Sequence, residues 1–210
     1  IATTAEAKPK TLGKQPQLLS KILDVLFQLM QDSPESAAGA LLENNPAWRD
    51  DDEDDDYVDE APTETGMAQG TLDMIACEVP TKFVWNIVYP KCMERMVSEN
   101  PAARKAGVAG LGVIAEGCAE PLTENLAAAL DCVFRMANDH SPQVRECACF
   151  CLGQMSEHCQ PDILAYSSQI LPTVFQLLDD NSVAVQTTSC YVLEIFCERL
   201  EPAAVRPVLD

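Results

Sequence analysis

The sequence predicts an all-α protein in which antiparallel helix pairs stack side by side as a solenoid. Three observations support this fold class. Related segments recur every 41 residues, apolar residues inside each segment follow a helical period, and no segment alternates as a half-buried strand would. Since a helix pair of about 40 residues cannot cover its own apolar face, neighbouring pairs must bury that face by stacking.

The repeat is clearest in three segments that align without a gap. They are NPAARKAGVAGLGVIAEG from Asn100, SPQVRECACFCLGQMSEH from Ser141 and SVAVQTTSCYVLEIFCER from Ser182. The segments that precede them keep the same 41-residue step and begin at Tyr89, Leu130 and Leu171. Each unit therefore holds two segments with a short polar break. Two helices in a period of about 40–47 residues are typical of HEAT repeats.

Both segments of a unit have the pattern of an amphipathic helix. In the second unit's later segment, the apolar residues form one stripe at the helical period: Cys147, Ala148, Cys151, Leu152, Met155 and Cys159. Pro101 and Pro142 lie where a first turn should begin, a position that tolerates proline. Asn100 and Ser141 precede them as suitable capping residues, so we expect a helix to start at each site.

The first unit is interrupted by a long insertion. QLLSKILDVLFQLMQDS from Gln17 predicts a first helix, and ETGMAQGTLDMIACEVP from Glu64 predicts its partner. The equivalent residues Phe27 and Met93 lie 66 residues apart where 41 are expected, so about 25 residues are extra. We expect a piece of a longer protein with a flexible start at 1–14 and a repeat at 15–80 that carries the insertion at about 33–63. Further repeats are predicted at 81–119, 120–160 and 161–201, with the start of another at 202–210.

The charge balance excludes some partner classes and favours another. The net charge is −19 and the isoelectric point is about 4.3, so nucleic acid and anionic membranes are repelled, whereas a basic partner is attracted. No run of 18 apolar residues is present that would span a bilayer. The 10 cysteines fall mostly at apolar positions of helical patterns, which indicates free thiols in a reducing compartment.

The insertion contains the most concentrated charge in the chain. Trp48 is followed by these carboxylates: Asp50, Asp51, Asp52, Glu53, Asp54, Asp55, Asp56, Asp59 and Glu60. A flexible polyanion steers Lys/Arg-rich partners through a field that extends about 8 Å at physiological ionic strength, and Trp48 can stack on an arginine. The alternative is a solvated loop that only aids solubility. A calcium-binding loop is disfavoured, because the run lacks the central glycine that such a loop needs.

Catalytic and metal chemistry receive little support. His140 and His158 lie in separate units, and the chain has no glycine-rich phosphate loop, nucleophile elbow or H-E-x-x-H motif. The CACFC run, with the nearby His158 and Cys159, suggests zinc, but its spacing on a helix points Cys149 away from the neighbouring thiols. We expect structural core cysteines, no enzymatic activity, no cofactor and no metal.

Longer stretches resemble one protein family. LGQMSEHCQP from Leu152, QLLSKILDVLFQLMQDS before the insertion and LDMIACEVPTKFVWNIVYPKCMERM after it are similar to the karyopherin-β (importin-β superfamily) nuclear import receptors, especially their importin-four branch. The resemblance covers about residues 15–205. It implies a right-handed HEAT-repeat superhelix whose second helices line the concave side, with an Asp/Arg ladder between units. That ladder is incomplete here, since Gln186 stands in place of the third arginine and Ser98 in place of the first aspartate.

The family resemblance also implies a function in transport. Such receptors import basic cargo, such as histones or ribosomal proteins, and they contact phenylalanine-glycine nucleoporins. Ran-GTP releases the cargo, and the receptor, expected as a monomer, shuttles between cytoplasm and nucleus. The acidic insertion would then contact basic segments or Ran. The alternative is a HEAT-repeat scaffold subunit of another protein complex with no transport role.

A second candidate surface follows from the concave side of such a superhelix. Its members are Glu116, Glu157 and Glu198, which share one repeat position, with Glu194, Phe150 and Tyr191 beside them. If all of these face away from the core, the surface suits a basic, partly extended ligand. The alternative is a solvated face on which one aromatic residue packs against the neighbouring helix.

Overall fold

The computed structural model describes residue 5, residues 8–33 and residues 63–198. These ranges contain ten α-helices and one 3-10 helix and no strand, so the all-α prediction is confirmed. Helices α1 to α10 span Pro9–Gly13, Pro16–Asp32, Glu64–Glu78, Thr81–Met96, Pro101–Val113, Ala119–Glu124, Leu126–Ala137, Pro142–His158, Ser167–Leu178 and Val183–Cys197, and the 3-10 helix Asp162–Tyr166 precedes α9. Within the described ranges, none of the helices combines the length and apolar character needed to cross a membrane.

The helices form two layers. The first helices of the hairpins are α2, α4, α7 and α9, and their partners, the second helices, are α3, α5, α8 and α10. Each second helix contacts the next one along the chain, α3 with α5, α5 with α8 and α8 with α10, and the first helices touch in the same order. This nearest-neighbour stacking is the solenoid that the 41-residue period predicts.

The helix starts follow the expected local chemistry. Pro16, Pro101 and Pro142 each occupy the first turn of a helix, where a missing N–H costs nothing. The side chain of Asn100 caps α5 by accepting a hydrogen bond from the backbone N–H of Ala102 at 3.0 Å. Ser141 precedes α8, but its side chain makes no cap hydrogen bond to that helix.

The beginning of the chain differs from its prediction. Residues 1–14 are expected to be flexible, yet Pro9–Gly13 form helix α1, and Leu12 is buried. Gly13 lies so close to the Phe83 ring that an added Cβ would come 3.1 Å from its Cγ atom. Leu12 therefore belongs to the core that runs through the described hairpins.

The second helices pack so closely that an aromatic ring of one helix lies directly against a glycine of the preceding one. We call these contacts the glycine seats. The Phe150 ring of α8 lies on Gly112 of α5, where an added Cβ would come 2.8 Å from a ring carbon. One repeat later, the Tyr191 ring of α10 lies on Gly153 of α8. A side chain at either glycine would separate the helices, so these seats fix how near the hairpins approach.

An arginine–aspartate ladder joins the turns of consecutive hairpins. Arg104 donates from Nε and Nη2 to the Asp139 carboxylate at 2.6 and 2.8 Å, and Arg145 binds Asp180 in the same way at 2.6 and 2.7 Å. Each arginine also donates to two backbone carbonyls of its own turn. Where the third arginine is missing, Gln186 donates to the backbone carbonyl of Asp180 at 2.8 Å.

The ladder holds its carboxylates in the charged form. The hydrogen bond from Arg145 lowers the pKa of Asp180, and the backbone N–H of Ser182 contributes to the shift. Burial alone would raise the pKa of Asp139, but the hydrogen bonds from Arg104 and Ser141 outweigh it and the net shift is downward. Both ion pairs are therefore formed at neutral pH.

Replacement of Arg145 tests the ladder. The change Arg145→Ala leaves the Asp180 carboxylate, whose side chain is 9% exposed, without its counter-charge, so we expect the free energy of unfolding to fall by about 2–3 kcal/mol in urea titrations at pH 7. Because the pKa of Asp180 is lowered on folding, this contribution is complete above the unfolded pKa of about 4 and is lost as the pH falls through the folded pKa. The difference from wild type should therefore shrink at about pH 3. The exposed Arg135→Ala is the control, and an equal loss there would contradict the role of the ladder.

Two glycine-to-alanine changes test the helix spacing. Gly153→Ala places a methyl group against the Tyr191 ring, and we expect it to lower the free energy of unfolding by about 2 kcal/mol through overpacking. Gly70→Ala in α3 meets no atom within 4 Å and should instead stabilise the chain by about 0.5–1 kcal/mol, because alanine favours the helix. Both free energies are measured by urea unfolding. If the two variants change the free energy of unfolding by the same amount and in the same direction, the contact with Tyr191 does not limit the distance between the helices.

Candidate partner-binding surface

The glutamates predicted for the concave side lie at equivalent points of stacked helices. Glu116 follows the end of α5, Glu157 lies in the last turn of α8, and Glu198 follows the end of α10. All three are exposed, as is Glu194. The C-terminal end of a helix carries a partial negative charge, so carboxylates at these ends reinforce the local negative potential instead of neutralising it. Such an arrangement is suited to binding cations.

A further carboxylate, Asp73 of α3, extends this row. Its carboxylate oxygen, the Glu116 carboxylate and the Cys77 sulfur lie within 4.8 Å of one another. The Cys77 thiol donates a long hydrogen bond of 3.7 Å to Asp73. The sequence did not predict Asp73, because the insertion-bearing unit has no gap-free alignment, and a 41-residue step back from Glu116 reaches Ile75. The spacing of 43 residues between the two carboxylates is the signal that would have found it.

Burial and like charge raise the pKa of both groups on α3. Partial burial is the main cause for Asp73, and the nearby Glu116 carboxylate adds to it, while His158 acts in the opposite direction. Burial together with Asp73 and Glu116 raises the pKa of the Cys77 thiol to about 12. The thiol is therefore neutral at physiological pH and is not an activated nucleophile. A cation near the two carboxylates would relieve their repulsion.

Asp73, Cys77 and Glu116 form the group of described residues that could together hold a metal ion. The cysteines of the CACFC run and Cys159, for which a zinc site was considered and disfavoured, lie in the core and not on this surface. Cys147, Cys149, Cys151 and Cys159 are buried and form no disulfide with one another. Burial is the largest cause of the raised pKa of Cys149, Cys151 and Cys159. They contribute to the core in the way that small apolar residues do.

The row continues from the α3–α5 pair toward α10. The His158 Nε2 atom lies 4.0 Å from the Glu157 carboxylate, which places an imidazole between Asp73 and the later glutamates. Beyond it, burial raises the pKa of the Tyr191 hydroxyl to about 12, with Glu157 and Glu194 as further causes. Negative groups from four successive hairpins thus follow one another along the second helices. We call Asp73, Glu116, Glu157, Glu194 and Glu198 the acidic row.

The two aromatic residues expected to be exposed on this surface are buried. Phe150 is 3% exposed and Tyr191 is 2% exposed, so the expectation that they face away from the core is wrong for both. Their rings occupy the glycine seats of the preceding hairpin. The Tyr191 hydroxyl accepts a hydrogen bond from Gln154 at 2.8 Å. Both rings therefore hold the helices of the acidic row in place.

The other candidate surface, in the insertion, falls outside the described residues. This applies to Trp48 and to the acidic run from Asp50 to Glu60. The described residue at the start of the insertion, Ser33, accepts a hydrogen bond from the Lys105 ammonium at 2.5 Å. Lys105 lies on α5, and its side chain is buried. The insertion therefore leaves the fold beside one of the second helices.

Comparisons with known proteins agree with this architecture. The HEAT-like repeat family matches residues 101–155. Importin-4 of Mus musculus is 33% identical over 124 residues, which cover 58% of this chain and 11% of that protein. The crystal structure of Kap121p bound to RanGTP superposes with a TM-score of 0.82 and 24% identity, over all of this chain and 20% of that one. The chain is therefore similar in sequence to importin-4 and in fold to Kap121p, and it contains a HEAT-like repeat.

The chain spans only a small part of the relatives that it matches, 11% of importin-4 and 20% of Kap121p. A second Kap121p structure with the same TM-score of 0.82 and 23% identity is a variant in which three acidic residues, each about one repeat from the next, are changed to lysine. Further Kap121p structures contain Pho4p or Nup53p. The superposition on these structures supports the HEAT-repeat fold.

Proposed function

We propose that this chain is the part of a karyopherin-β nuclear transport receptor that captures basic protein cargo, such as a histone or a ribosomal protein. The acidic row is the observation that carries the proposal. Its four glutamates are exposed and Asp73 is half-buried; they come from four successive hairpins, and none of them makes a salt bridge to a lysine or arginine within the described ranges. An unneutralised row of this kind attracts cations and repels polyanions.

The spacing of the helices indicates the form of ligand that fits. Packed helices lie about 8–10 Å apart, and an extended chain advances about 3.3 Å per residue. An extended peptide with a lysine or arginine at every third residue would therefore present one cation to each successive helix of the row. Asp73 and Glu116 are close enough to bind one ammonium group together.

The acidic run of the insertion is proposed to assist capture. Asp50 to Asp56, Asp59 and Glu60 supply a dense negative charge, and Trp48 supplies a ring on which an arginine can stack. The insertion begins next to α5, where Lys105 binds the Ser33 carbonyl. Long-range attraction by this negative charge favours fast association with a basic ligand.

Contacts with Ran-GTP and phenylalanine-glycine nucleoporins are proposed for the full-length protein, together with shuttling between cytoplasm and nucleus as a monomer. The Kap121p structures with RanGTP and with Nup53p support this part of the proposal by similarity of fold. A pull-down with Ran-GTP and nucleoporin repeats tests it on the full-length protein. Binding of neither would favour the alternative of a HEAT-repeat scaffold in another complex.

Neutralising two members of the acidic row tests cargo capture. We expect Glu116→Gln with Glu157→Gln to weaken binding of a labelled peptide that carries lysine at every third residue by about tenfold, because two ion pairs are lost. Affinity should also fall as salt rises from 50 to 300 mM, more steeply for wild type than for the variant. The exposed glutamates of α6 give the matched control, Glu120→Gln with Glu124→Gln. Equal weakening in the control, measured by fluorescence anisotropy, would remove the row from the mechanism.

Changing the acidic run tests the second part of the proposal. We expect replacement of every aspartate and glutamate between positions 50 and 60 by asparagine and glutamine to slow association of the same peptide by about tenfold at low salt, because long-range attraction acts on the association rate. This variant keeps the length of the insertion, so it separates charge from chain length, and deletion of residues 49–60 serves for comparison. Unchanged rates and affinity in stopped-flow measurements would show that the run takes no part in capture.

A further inference from the structure

Two segments of this acidic chain contain lysines and no carboxylates, and the fold brings them together. Residues 8–23 carry four lysines and residues 79–93 carry two, with no aspartate or glutamate in either segment, although the chain as a whole has a net charge of −19. Gly13 of the first segment packs against Val79 and Phe83 of the second, and α2 contacts α4. A positive area thus lies on the first helices, apart from the acidic row on the second helices.

A groove runs between α2 and α4 at the centre of this area. It has a volume of about 570 Å³, is open to solvent and is lined by Pro16, Gln17, Ser20, Lys21, Asn86, Ile87 and Lys91. Pro16 and Ile87 give it an apolar part, and the amides of Gln17 and Asn86 give it neutral hydrogen-bonding groups. The groove is therefore suited to side chains that are partly apolar and partly anionic. We call it the lysine groove.

Of the two lysines that line the groove, Lys91 has a carboxylate partner and Lys21 has none among the described residues. Lys91 is paired with Asp24 at 2.6 Å, and the Lys82 ammonium lies over the Phe83 ring, 5.1 Å from its centroid. Lys14 and Lys21 are exposed, and no carboxylate among the described residues comes within 4.0 Å of either ammonium group. The start of the 17-residue helix α2, which has no side-chain cap, adds a partial positive charge beside them.

We propose that the lysine groove binds a short acidic peptide segment of a partner protein. Its carboxylates pair with Lys14 and Lys21, and an apolar side chain between them rests on Pro16 and Ile87. Long-range repulsion by the net charge of −19 disfavours nucleic acid, whose charge extends over many nucleotides. A short acidic peptide suffers less from that repulsion, because its few charges lie within one Debye length, about 8 Å, of the lysines.

Charge reversal at the groove tests the proposal. The probe is a fluorescein-labelled peptide of sequence EDLEDLEE, added to the 210-residue chain at physiological ionic strength. We expect Lys21→Glu to weaken its binding by about tenfold, because an attraction is replaced by a repulsion. Arg135→Glu on α7 makes the same change in net charge at another exposed position of the first helices and should leave affinity within about twofold of wild type.

Three results would overturn the proposal. The first is equal affinity of the wild type and Lys21→Glu, with circular dichroism showing unchanged helix content in both. The second is equal weakening by Arg135→Glu, which would indicate net charge in place of the groove. The third is full displacement of the peptide by a single-stranded oligonucleotide at equal concentration, which would indicate a nucleic-acid surface. Retained binding of the peptide in Glu116→Gln with Glu157→Gln is expected, since the lysine groove does not depend on the acidic row.

Discussion

The close approach of consecutive second helices is the constraint on which the rest of this structure depends. Helix α8 lies between α5 and α10, and a continuous run from Glu146 to Gly153 is buried. A helix in that position can approach both neighbours only if small residues face large ones. Gly112 under Phe150 and Gly153 under Tyr191 meet this requirement one repeat apart. The distance between hairpins, and with it the distance between members of the acidic row, follows from those contacts.

Carboxylates serve two separate purposes in this fold, and their surroundings distinguish them. Asp139 and Asp180 are bound in bidentate fashion by arginine, their pKa values are lowered, and they join neighbouring turns. Asp73 has no arginine partner among the described residues, and burial and Glu116 raise its pKa. The first kind is already neutralised and stabilises the stack. The second kind remains available to an external cation.

Sequence patterns were sufficient to predict the helices and their order. They were not sufficient to predict which side chains are buried between neighbouring hairpins. The 41-residue period follows from the alignment of three units, and the helix starts follow from the prolines within each unit, whereas the Arg145 position of the ladder was implied by the family resemblance. The burial of Phe150 and Tyr191 follows from none of these, because a helical wheel assigns faces within one hairpin and takes no account of the next one. Asp73 was missed because the step from it to Glu116 is 43 residues, two more than the regular step of 41. Helix α1 was missed because its sequence is polar apart from the buried Leu12.

The distribution of thiols has a consequence for how the solenoid can be observed in solution. Buried free cysteines occur in or beside α4, α5, α7 and α8, and burial raises the pKa of several, among them Cys92, Cys118 and Cys149. A thiol of this kind becomes reactive only when its hairpin opens to water. The chain therefore carries an intrinsic set of labels, and the order in which an alkylating reagent modifies them would report which hairpin opens first.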